Sequence, residues 1–494
     1  MIKNKVLSKV SFALCLVVNS SNVYADSQPL SLPSGEEWLT HAAQGLAPYW
    51  MMESAQGVPV GNFPTFRCDD GSVLKRDSVC PELDRSWISP YFTRDYTRMK
   101  SRQIYGYSVL YHLTGDTEAL KLAKQGANYL IRHLRDQEHG GFVSYTEQGK
   151  PGLAWQQRTS QDQAYALVGL AMLYYLTRDE QLQAVLVEQQ RFIFDQYRLS
   201  DGQGLAWVLA DGDGQSVKQR ELVAQLDQIN GYLLLVAPLL PEPHKTRWLK
   251  DLSWLTDIMV NQYHSKEEQR FYGAIHHKAM MMQEAKHNDF GHTIKAYWMT
   301  YLAGEKLNRS DWQTFGKQGM QVTLQRAEYV PYWPDIEAWI PDDLKARWRG
   351  HDISTWRGRP DSNGISSWEW AELDQAALTV SMLEGKPKPV LYYTLPSYLQ
   401  IWVDPKHGGV GLDPQSTKAF HWGNAYHQFE HALVGYVASQ ALAKQPAILY
   451  YAMSAQKADN LNPYYFSGDA VSVESISSNS AAPQIKVTFS NVRP

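Results

Sequence analysis

"QDQAYALVGLAMLYYLTRDEQLQAVLVEQQRFIFDQY", residues 161–197, contains two segments of different character. The first, 161–176, is apolar nearly all round and carries only a few polar groups, the pattern of a helix buried on most of its faces. The second, 180–197, is amphipathic with a charged face and reads as a helix laid over the first from outside. The pair recurs along the chain. Inner-type segments fall at 101–113, 222–238, 290–303, 366–383 and 424–440, and outer-type segments at 35–51, 117–134, 243–263, 308–327 and 392–403. Successive inner segments are about 60 residues apart, with one longer step before 366, which is the period of a repeated loop plus two helices. Six such pairs closing on themselves predict an all-α fold, an (α/α)6 barrel. An open α-solenoid is the alternative, but such arrays use shorter repeats. Polar residues also cluster at the starts of the inner segments, so closure would bring them to one mouth.

The loops fit this layout. "DQEHGGFVSY" (136–145) and "DPKHGGVGLD" (404–413) place paired glycines after outer helices, followed by short β-like stretches, and are expected to form small hairpins on the rim. From about 455 the chain becomes Ser/Asn-rich and then alternates in "QIKVTFSNV", a short C-terminal β-like tail. At the other end, Lys3, Lys5 and Lys9 precede an apolar run from Val10 to Val18 and a small-residue site at Val23, Tyr24 and Ala25, which reads as a cleavable signal peptide. The run is too short to span a bilayer. Leu14 before Cys15 argues against lipid attachment there. The expected organisation is a signal peptide over 1–25, a barrel domain over 26–454 and an extension over 455–494, in a periplasmic or secreted protein that does not span the membrane.

Removing those three lysines takes the formal net charge from −4 to −7, and no basic stripe of the kind nucleic acid demands is present. Cys68 and Cys80 are the cysteines that remain; an oxidising compartment favours a local disulfide between them, with two free thiols as the alternative. The 17 Trp and 29 Tyr against 14 Phe suit stacking on sugar rings, although helix packing uses aromatics too.

The order of "SRQIYGYSVLYHLTGD" (101–116), the DxxxGGF turn at 136–142, "DQAYALVGLAMLYYLTRD" (162–179), "GHTIKAYWM" (291–299), "WEWAELDQAAL" (368–378), the DxxxGG turn at 404–409 and "NAYHQFEHAL" (424–433) resembles the N-acylglucosamine 2-epimerase superfamily, which includes cellobiose 2-epimerases and mannose isomerases. The resemblance spans roughly 35–440. It implies that Arg102, His292 and His427 form the centre of a site acting on a mono- or oligosaccharide, without a metal or organic cofactor. The chemistry asks for the same groups. Moving the proton next to an aldehyde needs a base near neutrality, a partner acid and a cation for the enediolate charge. Histidine suits both proton roles and the arginine fork suits the oxyanion. Bland readings stand beside these. Either histidine could be a satisfied core group, and Arg102 could pair with Asp95 or Asp136.

The chain departs from the family pattern in two places. The first histidine is typically followed by a glutamate three residues later, where this sequence has Lys295; the second typically stands in YHxxR, where this one has Glu430. One carboxylate and one cation have changed places, so an ion pair between Lys295 and Glu430 across the mouth is expected. The added cation also leaves room for an acidic sugar, with Arg94, Arg98, Arg357 and Arg359 as further rim cations. Trp368, Trp370 and Tyr426 could be ring platforms or packing.

Other chemistries remain open. The fold also carries glycosidases and polysaccharide lyases, for which Asp162, Asp227, Asp289, Glu372 and Glu430 would supply an acid and a base. "HQFEH" (427–431) matches the inverted zinc-protease pattern but needs a third glutamate, and Glu474 is the sole one after His431. A non-catalytic glycan-binding barrel is the last alternative.

Overall fold

The computed structural model describes residues 31–281, 288–327, 366–412, 417–423, 425–477 and 482–494. Twelve major helical segments are found among them. The outer set comprises α1, which runs Gly35–Thr40, His41–Leu46 and Ala47–Trp50 with a π turn in its middle, then α3 (Thr117–His133), α5 (Glu180–Tyr197), α7 (His244–Ile258), α9 (Ser310–Ala327) and α11 (Leu391–Ser397). The inner set comprises α2 (Thr97–Thr114), α4 (Ser160–Thr177), α6 (Leu222–Gln228 continued through a π turn, Ile229–Leu233, to Leu234–Val236), α8 (Phe290–Leu307), α10 (Ser367–Glu384) and α12 (Ala425–Leu442). Each inner helix packs on the next, and α12 closes the ring against α2. The fold is the expected (α/α)6 barrel.

Burial explains the two kinds of sequence. On α4 fifteen of eighteen residues are buried, because neighbouring inner helices cover its flanks and α5 its back. On α5 a stripe of Leu182, Leu186, Gln189, Gln190, Ile193, Phe194 and Tyr197 is buried while the opposite face is wet. Close approach between inner helices needs glycine at two points. A Cβ on Gly169 would stand 2.1 Å from the Ser101 carbonyl oxygen, and one on Gly106 would stand 2.7 Å from the Ala425 Cβ.

The connections are asymmetric, and this decides where the site lies. Inner helices pass to outer ones through tight turns. α2 ends on Gly115 in the left-handed region, and Asp116 then caps α3 by accepting from Glu118 N and Ala119 N. Outer helices return to inner ones through long rim loops. In the two paired-glycine turns, Asp136 accepts from the amides of Glu138 and His139, and Asp404 from those of Lys406 and His407. Each turn is closed by a single β bridge, Arg135 to Phe142 and Val403 to Val410, rather than by a full hairpin. The rim strands lie nearby: β1 (Arg94–Tyr96), β2 (Tyr145–Glu147) and β3 (Lys150–Pro151) form one antiparallel sheet, and β4 (His264–Ser265) pairs with β5 (Arg270–Phe271).

The loop between α1 and α2 contains a disulfide, Cys68–Cys80. It organises a small apolar cluster of Phe66, Cys68, Leu83, Ile88 and Phe420 on the rim. For a loop of this length the cross-link stabilises by about 2–3 kcal/mol. Mild reduction is therefore expected to raise hydrogen exchange across residues 53–93 well before the helices respond.

The tail is a three-stranded antiparallel sheet ordered β6 (Ala447–Tyr451), β8 (Ile485–Arg493), β7 (Ser467–Ser475). It begins at Ala447, ahead of the change in composition near 455. β6 lies on α2 and α4, and the segment after it is buried, with Leu461, Tyr464, Tyr465 and Phe466 in the main core.

Candidate active site

A cavity of about 580 Å³ opens among the first turns of the inner helices. Arg98 and Arg102 come from α2, Gln161 and Tyr165 from α4, Asp227 from α6, His292 and Lys295 from α8, Trp368 and Glu369 from α10, and His427 and Gln428 from α12. All six inner helices thus point their N-termini at one space, where their dipoles favour negative charge.

His292 and His427 both line it, and both touch Trp368, with ring centroids 5.0 and 5.7 Å from the indole. Their surroundings differ. Asp289 caps α8 by accepting from the His292 amide at 2.8 Å, and the same carboxylate lies 2.7 Å from His292 Nδ1. Burial works against a charge on this imidazole, but Asp289 outweighs it and the pKa is raised. For His427 burial dominates and is reinforced by Lys295, pulling the pKa down to about 4. Its Nδ1 lies 3.4 Å from Glu372 Oε1 without hydrogen-bond geometry, so that carboxylate only partly offsets the effect.

Arg102 stacks its guanidinium 4.0 Å over the Tyr165 ring and donates through Nη1 to the Trp422 carbonyl. Among the described residues no carboxylate lies within salt-bridge distance of it. Neither candidate partner is available: Asp95 pairs with Lys100 at 2.7 Å and Asp136 with Arg158 at 2.7 Å. The other cavity cations are neutralised, Arg98 by Asp162 and Lys418 by Asp404. Arg94 stacks over Tyr145, while Arg357 and Arg359 lie outside the described residues. Asp227 accepts from Gln161 Nε2 at 2.7 Å and Tyr165 Oη at 3.3 Å.

The expected Lys295–Glu430 ion pair is not formed. Lys295 Nζ donates instead to Glu372 Oε1 at 2.8 Å, on the adjacent inner helix α10, with both side chains buried. Glu372 holds the Lys295 charge on, raising its pKa, and Glu372 is itself lowered because Lys295 and His427 outweigh its burial. Glu430 turns below, accepting from Tyr464 Oη at 2.6 Å and Tyr426 Oη at 3.3 Å. Tyr426 is fully buried, so it packs and donates rather than lining the cavity. Trp370 also lies outside the cavity. Two residues along a helix is about 200° of rotation, so Trp368 facing inward turns Trp370 outward, where its Nε1 donates to the Thr394 carbonyl and its ring meets Trp402.

His431, one turn beyond His427, is fully buried and sits 2.9 Å from Asp374. Glu474, the third ligand that a zinc-protease reading would need, is exposed on β7 beside Lys486. Side-chain atoms of Glu372, His427 and Glu430 lie within 4.8 Å of one another, a spacing that could admit a cation, but the Lys295 ammonium already stands there, paired with Glu372.

Several cavity residues have no helical pattern to announce them. Trp87, Tyr91, Trp207, Lys418, His421 and Trp422 arrive on rim loops. Tyr91 lies 4.5 Å from His421 and Trp87 5.5 Å from Trp422, forming an aromatic mouth above the histidines. Asp289 was legible as a helix cap three residues before His292, a spacing that lets one carboxylate serve both the amide and the ring.

The class is therefore an (α/α)6 barrel with a polar cavity at the N-termini of its inner helices. Residues 89–312 match the family model of N-acylglucosamine 2-epimerase (GlcNAc 2-epimerase), the superfamily whose motif order the sequence resembles. Solved structures share the fold at low identity. Cellobiose 2-epimerase from Spirochaeta thermophila DSM 6192 aligns with a TM-score of 0.60 at 15% identity, over 83% of this chain and 97% of that one. A D-mannose isomerase gives 0.58 at 11% identity, over 82% and 97%. An unsaturated glucuronyl hydrolase specific for heparin gives 0.52 at 12%, over 83% and 98%. A comparison with curated proteins finds no match.

Proposed function

We propose that this protein is a sugar epimerase or isomerase that moves a proton at C2 of a reducing mono- or oligosaccharide through an enediolate. The observation that carries the reading is the pair His292 and His427, which line one cavity against one indole with pKa values driven in opposite directions. At neutral pH His427 is unprotonated and open to take the C2 proton, as a weaker base than the near-neutral group the chemistry favours, and His292, held by Asp289, is the acid. Arg102 and the converging helix N-termini face the charge that develops on the sugar oxygen. Return of the proton to the opposite face of C2 gives the epimer; delivery at C1 gives the ketose. The family-model match over residues 89–312 and the likeness in fold to an epimerase and an isomerase support the same class.

The glycosidase alternative, kept in view by the likeness to a glucuronyl hydrolase, is less well served. Asp162 is engaged by Arg98, Asp289 by His292 and Glu372 by Lys295; of the remaining candidates Asp227 lines the cavity while Glu430 lies below it, so no two of these candidates face the cavity together without an ion pair. Export to the periplasm or beyond is part of the proposal, supported by a disulfide of the kind that persists in oxidising compartments.

The test is proton NMR of candidate reducing sugars in deuterated water. Exchange at C2 without bond cleavage is expected; release of monosaccharide from an oligosaccharide with no C2 exchange would replace this reading with hydrolysis. The pH dependence has a fixed sign. Activity falls as pH drops through about 4, where His427 is protonated, and falls again above the ordinary histidine value of 6.5, where His292 loses its proton. A profile of kcat/KM against pH with the opposite assignment, rising at either edge, would contradict the two roles.

A further inference from the structure

The C-terminal segment reaches the underside of this cavity. Tyr464, 2% exposed, donates its hydroxyl to Glu430 Oε1 at 2.6 Å, and Tyr105 of α2 donates to the Tyr464 hydroxyl at 2.9 Å. A relay of two phenols thus ends on a buried carboxylate, and each bond in such a chain strengthens the next. The placement is held at a conformational cost. Tyr464 has φ of +65°, the left-handed region that a bulky side chain rarely adopts, and such strain concentrates at functional positions. The surroundings fix it there. Its amide donates to Tyr175 Oη at 2.9 Å, its ring packs at a tilt on Tyr465 with centroids 3.9 Å apart, and Tyr465 donates to the Asn230 carbonyl within the π turn of α6 at 2.8 Å.

Glu430 is faced by Lys295 from α8, Glu372 from α10, Tyr105 from α2, Tyr464 and Tyr465 from the tail, and Tyr426 on its own helix, with His427 less than one turn away. Two carboxylates therefore stand against one ammonium, and the corner beneath His427 carries an excess negative charge unless Glu430 takes a proton. We propose that Tyr464 is a positioning residue of the cavity: its hydroxyl biases Glu430 toward its ionised form beside the Lys295–Glu372 pair, so that the C-terminal segment sets the charge beneath His427. Burial lifts Glu430 to about 7, with Lys295 and the two phenolic hydrogen bonds pulling the other way, which puts this charge near balance at neutral pH. The consequence for catalysis rests on the proposed epimerase reading; the charge-setting role does not.

The test compares Tyr464→Phe with Tyr465→Phe. Each removes one buried phenolic hydroxyl and keeps its ring, but the Tyr465 hydroxyl meets a backbone carbonyl instead of Glu430. Infrared titration of the protonated-carboxyl stretch, with the band identified by its loss in Glu430→Gln, reads the charge directly and needs no substrate. The midpoint is expected to rise by about one to two pH units in Tyr464→Phe, to rise less in Tyr105→Phe and to stay in place in Tyr465→Phe. Given an active wild-type protein, Tyr464→Phe also lowers kcat about tenfold with KM within about twofold, while Tyr465→Phe leaves kcat within about twofold. A Glu430 midpoint unmoved by Tyr464→Phe, or moved equally by both variants, overturns the proposal. An inactive wild type with a shifted midpoint sinks the epimerase reading alone and leaves the charge-setting role standing.

Discussion

His427→Asn lowers C2 proton exchange by about a thousandfold, the usual worth of a positioned general base, while the protein stays folded. Two features set the size of the effect. Of the two imidazoles that meet Trp368, His427 is the one that is neutral at working pH, since burial and the nearby Lys295 ammonium hold its pKa at about 4. Its ring is also fixed against Trp368 and Tyr426, so the lone pair arrives pre-aimed. Asparagine keeps polarity and much of the volume but cannot accept a proton, and a half-buried cavity position tolerates the exchange. Near-UV circular dichroism and the melting temperature should barely change as exchange disappears. Exchange within tenfold of wild type would remove His427 from the chemistry and with it the present reading of the site.

Lys295→Met has the largest effect on stability. It strands Glu372, which is fully buried and whose main cation is Lys295, beside a second buried carboxylate at Glu430. Breaking a buried ion pair from one side costs about 3–5 kcal/mol, because the remaining charge has neither water nor partner. Removing the second charge as well should recover most of that loss, so Lys295→Met with Glu372→Leu is expected to be markedly more stable than Lys295→Met alone in urea denaturation. Adding Glu430→Arg to Lys295→Met should not help. The Glu430 position is enclosed by Tyr105, Tyr426 and Tyr464, and a guanidinium there would meet phenolic donors. Rescue of Lys295→Met by Glu430→Gln and not by Glu372→Leu would instead support the Lys295–Glu430 ion pair that the sequence alone suggested.

That difference marks how far the sequence could be read. Helix pairs were legible because a helix covered on all sides must be apolar on all sides, and the near-total burial of α4 beside the half-buried α5 is that rule in coordinates. His292, His427 and Arg102 could be named as candidates because their order along the chain resembles a known family, and the structure brings the three to one cavity near the starts of inner helices. The pairing of Lys295 was not legible. Both possible partners sit on inner helices that border the same space, and whether the ammonium reaches α10 or α12 depends on side-chain direction rather than on spacing. Trp370 could have been set aside from its two-residue offset to Trp368. The aromatic mouth and Tyr464 gave no periodic signal, since loops and tails reach a site through the folded shape rather than through any local pattern.

The position of Leu461 to Phe466 in the barrel core has a consequence for biogenesis. The ring cannot close around a finished interior until nearly the whole chain has been made, because α1, near the start, packs on α12, and the last segments to emerge fill the base. A chain cut before residue 461 would leave part of the barrel's apolar interior uncovered, so arrival of this segment, rather than the growth of successive helix pairs, completes the native state.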